Sequence, residues 1–68
     1  MKLSARNQLS GVVRSVKSGA VMAEVVVDVA PASVAAAITD SSVERLGLAE
    51  GDRVTVIVKA TDVMIAKE

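Results

Sequence analysis

Apolar and polar positions alternate along several stretches of the chain. From Val21 to Val29 every second residue is Val or Ala, and Arg53–Lys59 repeats the pattern with valines at alternate positions. A period of two with β-branched residues on one face is typical of a half-buried strand. Gln8–Lys17 carries three more valines and is followed by Gly19, which indicates a tight turn. The pattern predicts a hairpin of Gln8–Lys17 with Val21–Val29, and a later strand over Arg53–Lys59.

Two further strands are predicted from weaker signals. Pro31 ends the second strand, because proline cannot donate to a β-ladder. The alanine run within Ser33–Thr39 favours a helix by propensity, but this segment also contains Val34 and Ile38, and we interpret it as a strand. Val63–Ala66 predicts a last short strand.

The clearest local motif lies between Asp40 and Leu48. Ser41 and Glu44 have the spacing of a capping box, in which a hydroxyl and a carboxylate each bind a free amide at the start of a helix. Gly47 suits the left-handed position that ends a helix, with Leu48 placed to pack back on it. The sequence therefore predicts a helix of about two turns.

The predicted order is β-β-β-α-β-β in a single domain over residues 1–68. This is an all-β fold with one short helix, and five strands with a helix between the third and fourth have the topology of an OB-like barrel. The chain has 68 residues, half of them apolar, with no aromatic residue and no cysteine. A domain with so thin a core and no disulfide is expected to complete its core by homo-oligomerisation.

Charge and composition exclude several classes of function. Eight basic and eight acidic residues give no net charge, and no aromatic side chain is present to stack on bases. We therefore expect no nucleic-acid partner. No apolar run approaches the ~18 residues of a membrane span and the first residues are polar, so we expect a cytoplasmic protein with no membrane partner. Without His or Cys the common general bases, thiolate nucleophiles and zinc ligands are missing, so we expect neither an enzyme nor a directly ligated metal.

Two polar segments at opposite ends of the chain suit a small oxyanion. Residues 4–8 contain Arg6, and residues 59–64 contain Lys59, each with small neighbours that leave backbone amides uncovered. A tetrahedral dianion needs permanent cations and many short donors. If the fold joins the two ends, both cations can face one pocket with hydroxyls from Ser4, Thr39, Ser42 and Thr61. Spacing alone leaves other roles open: solvent exposure for Arg6, protection of an edge strand for Lys59, and helix capping for Ser42.

Four segments together resemble a known family. They are Met1–Leu9, the Gly19-Ala20-Val21 turn, Leu46-Gly47-Leu48 with Glu50-Gly51-Asp52, and Lys59–Met64. They are similar to the corresponding segments of the molbindins, small cytoplasmic molybdate-binding proteins of TOBE type that are also called molybdenum-pterin-binding or Mop proteins.

The resemblance implies a fold, an assembly and a ligand. The fold is a five-stranded OB-like barrel in which strand exchange pairs two subunits, and three such dimers form a hexamer. The ligand is molybdate, or the similar tungstate, at subunit interfaces. The implied main site comprises Ser4, Ala5, Arg6, Asn7, Lys59, Ala60 and Thr61, with Thr39 and Ser42 from a neighbouring chain. A second class of site is implied around Ser18, Gly19, Ala20 and Val21.

The leading hypothesis is therefore molybdate storage or homeostasis. One alternative is a non-catalytic oligomerisation barrel that binds no anion. Another is binding of a pterin cofactor, against which the absence of any aromatic stacking residue argues. The sequence leaves open whether molybdate or tungstate is preferred.

Overall fold

The computed structural model describes residues 7–67. These residues form four strands, one helix and a 3₁₀ turn: β1 (Asn7–Ser18), β2 (Met22–Val29), β3 (Ala32–Thr39), α1 (Asp40–Leu46), β4 (Arg53–Val58) and the turn Ala60–Asp62. The strands make one antiparallel sheet in the order β3-β2-β1-β4. The prediction of a mostly β fold with one short helix is confirmed.

β1 is the long central strand and has a different partner along each half. Its first half pairs with β4, from Asn7 opposite Val58 to Val12 opposite Arg53. Its second half pairs with β2 as far as Ser18 opposite Ala23. The predicted hairpin of β1 with β2 is therefore confirmed, and the N-terminal end of β1 meets the C-terminal end of β4.

A bulge at Arg14 explains why the valines of β1 do not alternate. Val13 lies opposite Val27 and Val16 lies opposite Val25, so three steps along β1 match two along β2. The extra residue of a bulge changes the phase of the strand. Val13 and Val16 consequently share the inner face of the sheet despite their odd spacing.

The alanine-rich segment Ser33–Thr39 is part of a strand, as predicted. β3 pairs with β2 along its whole length, from Ala32 opposite Val29 to Thr39 opposite Met22. Ala30 and Pro31, joined by a cis peptide bond, form the turn between the two strands. Strand pairing with β2 therefore outweighs the helical propensity of the alanine run.

The cap at the start of α1 differs from the prediction. Thr39, the last residue of β3, has the extended backbone of a cap residue, and its Oγ1 accepts a hydrogen bond from the Ser42 amide at 3.1 Å. The predicted capping box of Ser41 with Glu44 is wrong, because Ser41 already lies inside the helix. The other end is confirmed: Gly47 has φ 63° and ψ 38°, and the Leu48 amide donates to the Val43 carbonyl.

The predicted fifth strand is absent from the described residues. Val63–Ala66 follows the 3₁₀ turn without regular structure, and Met64 is 92% exposed. Val63, Met64 and Ile65 are consecutive apolar residues with no alternation, and no strand of the described chain pairs with them. Within residues 7–67 the sheet is open and four-stranded instead of a closed five-stranded barrel.

The hydrophobic core is thin and built from small side chains. Its buried members are Val13, Ala23, Val25, Val27 and Val43. Half-buried residues from the sheet and from the segment after α1 pack against it, and no polar side chain of the described chain is buried as a whole. A cleft of about 610 Å³ stays open on the inner face, with Leu46, Leu48 and Val54 among its walls. No helix within residues 7–67 is long and apolar enough to cross a membrane.

Candidate oxyanion site

The structure separates the predicted site residues into two groups. Asn7, Lys59, Ala60 and Thr61 lie where β1 begins and β4 ends, while Thr39 and Ser42 lie where β3 ends and α1 begins. Ser4, Ala5 and Arg6 lie outside the described residues.

The first group is brought together by the pairing of β1 with β4. Asn7 lies opposite Val58, so Lys59 follows directly beside the start of β1. Ala60 and Thr61 begin the 3₁₀ turn, which is closed by a 2.9 Å hydrogen bond from the Asp62 amide to the Lys59 carbonyl. Strand register thus brings together two segments that are far apart in sequence. An oxyanion pocket built from both ends of the chain needs this proximity.

The side chains of this first group have unused hydrogen-bonding capacity. Lys59 and Thr61 are exposed and Asn7 is half-buried. Within residues 7–67, none of the three side chains has a hydrogen bond or an ion pair. An ammonium, a hydroxyl and an amide offer several N–H and O–H donors for an acceptor that comes from outside this part of the chain.

The second group lies at the other end of β1. Thr39 is opposite Met22, and the Asp40 amide donates to the Val21 carbonyl at 2.8 Å. This end also holds the turn after Ser18, where the Gly19 amide donates to the Met22 carbonyl at 2.9 Å. The residues of the implied second site, Ser18, Gly19, Ala20 and Val21, are therefore neighbours of Thr39 within one protomer.

The hydroxyls of the second group form a connected network. Thr39 Oγ1 donates to Ser42 Oγ at 2.8 Å, and the Ser42 amide returns a bond to Thr39 Oγ1 at 3.1 Å. Ser41 Oγ lies 3.2 Å from Thr39 Oγ1. Arg45 adds a cation, because its Nη2 donates to Ser42 Oγ at 3.3 Å.

Sequence reasoning did not include Arg45 among the candidate residues. The signal was present, since residues three apart on a helix share a face, and Arg45 follows Ser42 by three positions. Negative charge also lies near this network: Asp40 opens α1, and its Oδ1 is buried without a hydrogen-bond partner in the described part of the chain.

The two groups are too far apart to surround one ion within a single chain. β1 separates them with twelve residues, which span roughly 36 Å in a straight strand at about 3.3 Å per residue. Even a strongly bent strand leaves a gap far larger than the roughly 3 Å of a hydrogen bond. A site that uses both groups must therefore take each group from a different copy of the chain.

The fold defines a small antiparallel-β domain of OB-like type. Within residues 7–67 it has no cluster of three or more His, Cys, Asp or Glu residues that could hold a metal ion. Comparison with known proteins agrees with this class. The TOBE domain family model matches residues 3–65. Molybdenum-pterin-binding protein 2 of Clostridium pasteurianum is 50% identical over 66 residues, which cover 96% of this chain and 97% of the relative.

Two solved structures have the same fold. A molybdate-binding protein from Sporomusa ovata superposes with a TM-score of 0.95 at 45% identity, covering 98% of this chain and 100% of its own. The cytoplasmic molybdate-binding protein ModG, solved with molybdate bound, has a TM-score of 0.83 at 36% identity and covers 88% of this chain and 43% of its own. The chain belongs to the TOBE domain family, among the molybdenum-pterin-binding or molbindin proteins, and the resemblance seen in the sequence is confirmed.

Proposed function

We propose that this protein binds molybdate as an intact oxyanion and serves molybdenum storage or homeostasis in the cytoplasm. The observation that carries the proposal is the set of donors on Asn7, Lys59 and Thr61, which are unpaired within residues 7–67 and are gathered by strand register at one end of the sheet. Relatives and solved neighbours named for binding molybdenum-pterin or molybdate support the same ligand.

The donor set suits an oxyanion better than a bare metal ion. Lys59 contributes a permanent positive charge, and Thr61 and Asn7 contribute neutral donors. The small side chain of Ala60 allows a ligand to approach the backbone. These groups hydrogen-bond to the oxygens of molybdate, or of tungstate, and leave the metal atom inside its own oxygen shell. In this proposal the protein is a binder and not an enzyme.

The separation of the two groups supports a site shared between copies of the chain. We infer that Asn7, Lys59, Ala60 and Thr61 of one copy, together with Ser4, Ala5 and Arg6, meet Thr39 and Ser42 of another. The open cleft favours such an assembly, as do the two sheet edges that are unpaired within the described chain. For this assembly we propose a hexamer of three strand-exchanged dimers with residues 1–68 as one domain. Ser18–Val21 is proposed as a second class of site.

Titration calorimetry with sodium molybdate tests the function. Lys59→Ala is expected to weaken binding at least about tenfold, because a charge-assisted hydrogen bond is lost. Arg53→Ala is the matched control, since it removes the same charge from the exposed start of β4 and is expected to retain wild-type affinity.

Thermal unfolding supplies the second measurement. Molybdate is expected to raise the melting temperature of the wild-type protein, because a ligand that binds only the folded state stabilises it by mass action. Sulfate and phosphate at equal concentration serve as controls. If no anion changes the melting temperature and calorimetry detects no molybdate binding, the oligomerisation barrel without an anion ligand replaces this proposal.

A further inference from the structure

We propose that Arg45 is a positioning residue that sets the selectivity of the molybdate site through Ser42. The inference rests on the proposed function, in which Ser42 forms part of the oxyanion site. It goes beyond that function because it assigns a role to a side chain outside the predicted donor set.

The hydrogen bonds around Ser42 fix what its hydroxyl is able to do. A serine hydroxyl has one proton to donate and two lone pairs that accept. Ser42 Oγ accepts from the Thr39 hydroxyl at 2.8 Å and from Arg45 Nη2 at 3.3 Å, so both lone pairs are occupied. Its own proton has no acceptor within residues 7–67. The Ser42 hydroxyl is therefore left as a donor only.

A donor-only hydroxyl distinguishes between oxyanions. Molybdate at neutral pH presents only acceptor oxygens, whereas hydrogenphosphate also carries an O–H that needs an acceptor. With both lone pairs of Ser42 Oγ occupied, that O–H meets no acceptor there, and an unsatisfied polar group opposes binding. Removal of Arg45 frees one lone pair and lets Ser42 accept from hydrogenphosphate.

Charge near the network gives Arg45 a second effect, which acts on the affinity for both anions alike. Asp40 and Glu44 place two carboxylates on α1, and both oppose the approach of a dianion. Arg45 is the only cation of this helix and is permanently charged. Its contact with Ser42 Oγ also polarises the hydroxyl that faces the anion, which strengthens donation by that hydroxyl.

The test compares molybdate and phosphate affinities by calorimetry for the wild type, Arg45→Met and Arg45→Lys. Arg45→Met is expected to bind molybdate roughly tenfold more weakly. The ratio of phosphate Kd to molybdate Kd is expected to fall, because hydrogenphosphate gains an acceptor that molybdate does not use. Arg45→Lys retains a cationic donor and is expected to recover part of both effects. Arg14→Met removes the same charge from an exposed residue on β1 and is expected to behave as wild type.

A double-mutant cycle with Ser42→Ala separates positioning from a general effect of charge. If Arg45 sets selectivity through Ser42, Arg45→Met leaves the ratio of phosphate Kd to molybdate Kd unchanged in the Ser42→Ala protein, although the lost charge still weakens binding of both anions. An equal fall of that ratio in both backgrounds overturns the inference, as does wild-type selectivity in Arg45→Met. Failure of the wild-type protein to bind molybdate overturns the proposed function instead, so the two failures are distinguishable.

Discussion

Gly11 lies in β1 where β2 leaves no room for a Cβ atom. A methyl group added there would lie 2.6 Å from the Asp28 carbonyl oxygen, 2.6 Å from Val27 Cγ1 and 3.0 Å from Val29 Cγ2. The first of these atoms is backbone in a paired strand and cannot move away without disturbing the sheet. Only glycine fits this position, because any Cβ atom would clash with β2. The conformational freedom of the glycine backbone is not the reason.

We expect Gly11→Ala to lower the free energy of unfolding by about 1–3 kcal/mol, the range for overpacking a close-packed site. The measurement is urea denaturation followed by circular dichroism at a fixed protein concentration. Ser10→Ala is the control, because Ser10 is exposed and already has a Cβ; it is expected to change stability by less than roughly 0.5 kcal/mol. Equal stability of the two variants would show that β2 yields to the added methyl group.

At the scale of elements, α1 depends on the end of the strand that precedes it. Thr39 completes β3, yet its side chain satisfies the Ser42 amide at the start of the helix. Val43 is the one residue of α1 that is buried in the core. One threonine therefore connects the edge of the sheet to the helix that covers part of its inner face.

Replacement of the cap residue Thr39 is expected to destabilise the protein, whereas replacement of Ser41 is not. Thr39→Ala removes the acceptor for the Ser42 amide and is expected to cost about 1 kcal/mol of unfolding free energy. Ser41→Ala is expected to change stability by less than roughly 0.5 kcal/mol, because Ser41 is exposed. Both are measured by urea denaturation without molybdate, and Thr39→Ser, which keeps the hydroxyl, should restore most of the loss. A larger cost for Ser41→Ala would reinstate the capping box with Glu44.

At the scale of the whole molecule, the described chain has a small core and leaves large apolar side chains exposed. Within residues 7–67, five small buried side chains form the core, the inner cleft is open, and Met64 and Ile65 are 92% and 89% exposed. Burial of such surface by further copies would add hydrophobic stabilisation that one copy lacks. The proposed site has the same requirement, since its two halves lie at opposite ends of β1.

Mixed assemblies test whether sites are shared between chains. Lys59→Ala and Ser42→Ala each damage one half of the site, and each alone is expected to bind molybdate more weakly, with no site of wild-type affinity. If the halves come from different copies, co-expression of the two variants restores about a quarter of the sites in a random mixture, because such a site needs one intact half from each variant. Calorimetry counts the restored sites.

Two controls define that experiment. Mixing after purification, without subunit exchange, should restore nothing, while co-expression of Lys59→Ala with wild type sets the scale for recovery. If co-expressed Lys59→Ala and Ser42→Ala recover no sites, the two halves belong to the same chain or do not form one site.

Prediction from sequence succeeded where short segments carry strong local signals. The alternation over Val21–Val29 predicted β2, and Gly47 marked the end of α1. It was wrong for the capping box at Ser41 because Thr39, two residues earlier, already occupied the cap position at the end of β3. The Arg14 bulge could not be predicted either, since a bulge is defined by the register of two strands.

The sequence by itself determined the strands, the helix and the chemistry available for a site, because periodicity, turn residues and side-chain types act over a few neighbouring positions. Only the tertiary structure decided how these parts are arranged. Strand register placed Lys59 beside Asn7 and placed Thr39 and Ser42 at the far end of β1. Within the part of the chain that the structure describes, it also left Val63–Ala66 without a strand partner. These outcomes depend on pairings between residues distant in sequence, which no local pattern specifies.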